Sequence, residues 1–227
     1  MKDLQTDVTL SVETDIKFLP LVVSFAESSS RIFGLDGKDA LKLGLASEEV
    51  FAYLCRMTRE PAPVSLAMTN GYYYARLEFA FEGIDFDPRA FNLTADVSLD
   101  EKGMEEMGLV IAARSVDRMS IFRNAIKGTG FTLMKEKTYP EGEPWESREP
   151  PASDGLTFGV PGVEDLRALA RSIVGRYDPF VYLQDFRYPG KVVDMVESGE
   201  FSAIIATDRK GRIAGGMFWR YTETSMI

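Results

Sequence analysis

Residues 7–13, DVTLSVE, alternate apolar and polar side chains, which is the period of a half-buried strand. Pro20 then opens PLVVSFAESSSRIFG, a predicted helix that stops at Gly34. A second helix is predicted over DGKDALKLGLASEEVFAYLCRM, with Asp36 placed to cap its first turn. Leu41, Leu45, Glu48, Ala52 and Cys55 recur at helical spacing and form its expected inward stripe. A glutamate on such a stripe is unusual, and a shifted helix phase would expose it. PVSLAMTNGYYYARLEFAFEG reads as two strands joined around Asn70-Gly71. The three tyrosines Tyr72, Tyr73 and Tyr74 should then alternate between core and surface. EEMGLVIAARSVDRM has a helical pattern, and SIFRNAIKGTGFTLMKE is a second strand pair around Gly128 and Gly130.

The pattern breaks at residues 139–155, YPEGEPWESREPPASDG, where four prolines lie among charged and small residues. Proline removes backbone donors and restricts the residue before it, so this stretch is expected to be a linker between residues 1–138 and 156–227. Beyond it LTFGVPG predicts a short strand, and VEDLRALARSIVGRY and PGKVVDMVESG predict amphipathic helices. FSAIIATDRKGRIAGGMFWRYTETSMI predicts a hairpin turning at residues 208–211. The fold class is α+β: a mixed β-sheet with helices on one face, then a small partial α/β domain.

Composition narrows the chemistry more than the fold. The 227 residues are 45% hydrophobic, enough for a core, and carry a net charge of −9. That charge opposes a phosphate backbone, so no nucleic-acid partner is expected. No histidine is present, which removes the Ser-His-Asp triad and imidazole metal sites and leaves acid–base work to Glu, Asp, Lys, Tyr or water. No metal site is expected. The single Cys55 lies in an apolar helix and reads as a core residue. No apolar run is long enough for a leader or a membrane span, so a cytoplasmic protein is expected.

Four stretches in order carry a resemblance over residues 7–137. They are LASEEVFAYLC, FAFEGIDFDP, EEMGLVIAARSVDRM and KGTGFTLMK. Together they resemble the boxes of the GHKL ATPase superfamily, in particular its anti-sigma-factor serine-kinase-like branch. The resemblance implies an ATP site in which Glu49 is the base, while Tyr53 stands where the family has a Mg²⁺-holding asparagine. Phe81 stands where it has the adenine-binding aspartate. Gly83 remains, Asp85 replaces a glycine, Glu106 replaces another, and Gly108 and Gly128 persist. A phenol is a poor ligand for a hard cation, and Phe81 offers the adenine amine no acceptor. A carboxylate at Glu106 would repel phosphate. ATP with Mg²⁺ is therefore not expected as a working cofactor, and these positions are expected to line a vestigial pocket.

Residues 156–227 resemble the first strand, two helices and strand pair of a GNAT acyltransferase domain, the kind fused behind anti-sigma-like ATPase domains. The acetyl-CoA loop of that family has no counterpart here, so acetyl-CoA is expected only if the native chain is longer. The resulting expectation is a regulatory, ligand-sensing or protein-interaction module, with a protein partner or small ligand. Homodimers are what the GHKL resemblance implies. The alternatives are an ATP-dependent serine/threonine kinase using Glu49, and the front part of an acetyltransferase.

Overall fold

The computed structural model describes residues 7–82, 101–124, 128–143 and 155–220, with the backbone only at residues 101–106 and 124. The chain divides into two units, Met1–Thr138 and Tyr139–Ile227. Both are built from helices and antiparallel sheet, so the class is α+β.

In the first unit, strand β1 (Asp7–Glu13) leads through a short 3₁₀ turn to helices α1 (Leu19–Ile32) and α2 (Gly37–Met57). Strands β2 (Pro63–Asn70) and β3 (Tyr74–Phe81) follow, then α3 (Glu101–Ser115), β4 (Arg118–Asn124) and β5 (Gly128–Glu136). The sheet order is β1-β2-β3-β5-β4. Every neighbouring pair is antiparallel, which corrects the expectation of a mixed sheet. Helices α1 and α2 run out and back, so the chain re-enters the sheet at the end it left, with Glu13 opposite Pro63. After α3, β4 runs the same way as β3, but the β4–β5 hairpin inserts β5 between them.

Period-2 alternation sorts the strands. Leu66, Phe79 and Phe131 form one inward row across β2, β3 and β5, all without solvent exposure. Ser65, Ala80 and Gly130 form the next row, on the opposite face. Gly130 is required there: a β-carbon would stand 2.0 Å from the Phe79 carbonyl oxygen and 2.3 Å from the Phe122 ring.

Helix α2 lies over the inward face. Asp36 caps it by accepting a 2.7 Å hydrogen bond from the Asp39 amide. Its buried stripe is Leu43, Gly44, Ser47, Val50, Phe51 and Leu54. This corrects the expected stripe: Leu41 and Leu45 face outward, 54% and 41% exposed. The cause is close helix packing. Gly44 makes room for Glu27 of α1, whose Cγ would lie 2.7 Å from a β-carbon at that position. The predicted hairpin turn is also adjusted. Residues 71–73 form the loop, and Tyr72 rather than a glycine adopts the left-handed conformation, at φ 68°. Gly71 is needed because the Tyr74 ring lies over it. The helix predicted through Met119 ends at Ser115, and Arg118 already begins a strand.

The second unit contains β6 (Thr157–Gly159), α4 (Val163–Arg176), α5 (Pro189–Glu197), β7 (Ser202–Thr207) and β8 (Ile213–Trp219). Its sheet order is β6-β7-β8, antiparallel throughout. The predicted turn is present: the Asp208 carboxylate accepts from the amides of Lys210 and Arg212 at 2.9 and 2.8 Å, and Gly211 takes a left-handed φ of 74°. Those bonds hold the Asp208 carboxyl below its ordinary pKa, the Arg212 amide contributing most. Phe186 fills the core with Ala170 and Val192, and its ring meets Phe218 edge-on at 5.1 Å. Residues 139–142 of the expected linker belong to this unit. The Gly142 amide donates to Arg187 at 2.8 Å and the Tyr139 hydroxyl bonds to Asp194. The remainder, 144–154, lies outside the described residues.

Candidate functional site

Glu48, Glu49 and Tyr53 leave α2 in different directions, because successive helical residues are about 100° apart. Glu49 and Tyr53 are four apart and share a side of the helix. Glu49 is half-buried at the seam with α3, where Gly108 receives it: a β-carbon on Gly108 would lie 2.6 Å from Glu49 Oε2. The Arg56 guanidinium is at the same place, 3.7 Å from that position. Among the described residues Glu49 has no hydrogen-bond or ion-pair partner.

Tyr53 points into the core and is 3% exposed. Its ring stands edge-on to Phe131 of β5, centroids 6.4 Å apart at 83°. Phe131 in turn tilts against Phe81 of β3 at 5.7 Å and 42°. The structure thus brings together two of the positions singled out in the sequence, joined by a third ring that the sequence reading missed. The alternation of GTGFTLMK puts Phe131 and Leu133 on one face and could have found it. Edge-on and tilted ring pairs add about 0.5–1.5 kcal/mol beyond the area they bury. Where the GHKL resemblance would place metal ligand and adenine contact, this chain has a packed aromatic core.

Gly128 serves the backbone. Its φ is 76°, and a β-carbon would meet the Phe81 carbonyl oxygen at 2.7 Å. Gly83 and Asp85 lie outside the described residues, as does the side chain of Glu106. Among the described residues no group of three or more acidic or cysteine side chains converges as a metal site. Cys55 is half-buried, and burial pushes its thiol up to about 11, so it stays protonated and a poor nucleophile near neutral pH.

A polar cluster that the sequence did not signal lies at the start of α2. Asp39 is buried, and its Oδ1 accepts from Lys42 at 3.0 Å and faces the Lys135 ammonium at 3.7 Å. Its Oδ2 accepts from the Thr138 hydroxyl at 2.8 Å. Lys135 also donates to both Asp117 oxygens, at 2.9 and 2.8 Å. Burial opposes the Asp39 charge, but the bonds from Lys42 and Thr138 and the nearby ammonium groups outweigh it and lower its pKa. Two carboxylates and two ammonium groups balance, and each of the four has a partner within the cluster. The arrangement is a structural tie between α2, β5 and the α3–β4 turn.

No helix among the described residues is long and apolar enough to cross a membrane. Comparison with models of protein families finds no match for this chain, and comparison with curated proteins finds none.

Proposed function

We propose that this chain is a cytoplasmic regulatory module that works by binding a protein partner or a small ligand. In this reading its first unit keeps the frame of a GHKL-like nucleotide domain but does not hydrolyse ATP. The observation that carries it is the Tyr53–Phe131–Phe81 cluster, which fills with hydrocarbon the place where that chemistry needs oxygen ligands. The test is calorimetric titration of the full chain with Mg-ATP. The expected result is no saturable heat; tight binding overturns the reading.

A second reading, a serine/threonine kinase, is favoured by one observation: the Glu49 carboxylate is half-buried beside Gly108 without a partner among the described residues. A base waiting for a substrate hydroxyl would look like this. Transfer of ³²P from ATP to a protein substrate, abolished in Glu49→Gln, would establish it. The second unit supports a third reading, the front part of a GNAT-like acyltransferase. Its β-α-α-β-β order matches, and its sheet exposes Phe158 and Met217 on strands that a larger domain would cover. Acetyl-CoA is then a cofactor only of a longer chain.

A further inference from the structure

Glu48 points away from Glu49, into a groove of about 420 Å³ between α1 and α2. Leu19, Pro20 and Val23 give the groove an apolar wall, and Ser24 and Ser28 line it beside the carboxylates of Glu27 and Glu48. Glu27 faces Arg31 at 3.6 Å. Glu48 is half-buried and has no hydrogen-bond or ion-pair partner among the described residues.

Glu27 lies on Gly44, while Val23 and Glu48 share the groove, so α1 and α2 run antiparallel. One and two turns back along α2 from Glu48 stand Leu45 and Leu41, both exposed. At i, i+4 and i+7 the three residues make one stripe, whose last member, Glu48, lines the groove. A leucine pair ending on an unpaired carboxylate is what a helical ligand reads: apolar anchors at helical spacing and one charge to set the register.

We propose that this furrow docks an amphipathic helix of a partner protein, with apolar side chains on Leu41 and Leu45 and a lysine or arginine on Glu48. The proposal rests on the reading of the first unit as an interaction module and names the partner's chemistry. Charge selects this occupant. With Glu27 already facing Arg31, Glu48 is the carboxylate left to be matched, and the lining of a second copy's groove offers it no basic residue. An anionic membrane surface would meet the same two groups on a chain of net charge −9. A ridge of a third helix also matches the furrow between two packed helices.

The test uses the full chain and a fluorescent synthetic helix carrying leucines at i, i+4 and i+7 with flanking lysines, titrated by anisotropy at about 0.15 M salt. Saturable binding is expected. It should weaken roughly tenfold in Glu48→Lys, at the groove wall, and in Leu45→Asp, at an exposed position, as truncating or inverting an interface contact does. Glu164→Lys, on the exposed face of α4, should change it less than about twofold if the attraction is local rather than general. Circular dichroism of each variant checks that the fold is retained. Four results overturn the proposal: no saturable binding, equal binding of the peptide with glutamates in place of lysines, equal loss in Glu164→Lys, or indifference to both groove variants. A dimer in sedimentation that Leu45→Asp dissociates, or capture by phosphatidylserine vesicles that Glu48→Lys alters, would also overturn it. Mg-ATP titration of the same samples separates the two claims. ATP binding with site-specific peptide binding intact removes only the non-catalytic reading, and loss of the peptide result without ATP binding removes only this one.

Discussion

The two units begin alike and finish differently. β1-α1-α2-β2-β3 in the first and β6-α4-α5-β7-β8 in the second share element order, antiparallel pairing and the spatial order of their three strands. In the first, α3, β4 and β5 follow: β5 pairs with β3, and α3 adds Leu109 and Ala112 to the core. In the second, no described strand pairs with the outer edge of β8. The faces differ accordingly. The open face of the first sheet shows the polar Ser11, Ser65 and Glu78 among the small Ala67 and Ala80, with the Phe122 ring laid over Gly130. The open face of the second carries Phe158, 65% exposed, and Met217, 57% exposed. Gly216 identifies the covered side there, since a β-carbon on it would strike Leu169 of α4 at 2.7 Å. In the first unit α3, β4 and β5 close the core that this opening order begins, whereas the described part of the second keeps large apolar side chains on its open face.

The largest effects should break the first unit. Phe131→Ala removes the ring between Tyr53 and Phe81 from a site without exposure and should cost about 3–5 kcal/mol in urea unfolding. Phe81→Asp should be at least as damaging. It restores the residue of the family that the sequence resembles, yet at 2% exposure it buries a charge among rings. Restored ATP binding with unchanged stability would refute that account. In the second unit Phe186→Ala should cost about 2 kcal/mol, because the cluster it joins is small and partly wet. Trp219 stands on β8, so in a Trp145→Phe background tryptophan fluorescence follows the second unit while far-ultraviolet dichroism follows the whole chain. The fluorescence midpoint should come at lower urea; coincident transitions would mean the smaller core is not the weaker.

The next effect in size concerns Asp39. Asp39→Asn leaves Lys135 and Lys42 without one anion and should cost about 2 kcal/mol at neutral pH. Its folded pKa is lowered, so its contribution is present above the ordinary carboxylate range near about 4 and is lost as pH falls through the folded value. The difference between wild type and Asp39→Asn should therefore shrink on acidification below that range. A constant difference down to strongly acid pH would dismiss the network as the cause.

Strands and hairpins were legible because alternation and turn chemistry are local, as at residues 208–211. The phase of α2 was not. The expected stripe followed the leucines, whereas close packing on α1 and α3 selects the small residues Ala40, Gly44 and Ser47 and turns Leu41 and Leu45 outward. Glu48 recorded that shift as the one polar misfit on the expected stripe. For the candidate site, Tyr53 and Phe81 were visible as departures from a resemblance. Their meeting at Phe131 depends on the β3–β5 pairing, which joins Phe79 to Phe131 across more than fifty residues of chain. The Asp39–Lys135–Asp117 network likewise joins α2 to the base of the β4–β5 hairpin, far along the chain, and has no local signature.

The smallest effect separates two kinds of glycine and bears directly on Glu49. In Gly130→Ala the new methyl meets a backbone oxygen at 2.0 Å and the Phe122 ring, and the sheet has to distort. In Gly108→Ala the nearest atom is Glu49 Oε2 at 2.6 Å, the end of a flexible side chain with no partner to lose among the described residues. The carboxylate can swing away, and alanine is favoured over glycine inside a helix by about 1 kcal/mol. Stability should change by less than about 1 kcal/mol in either direction while the carboxylate is displaced from the α2–α3 seam. Peptide docking at Glu48, on another side of α2, should be untouched. Any kinase activity that uses Glu49 as a base should fall with it. A large loss of stability would instead mean that the seam holds Glu49 rigidly, as a structural residue and not as a group free to meet a substrate.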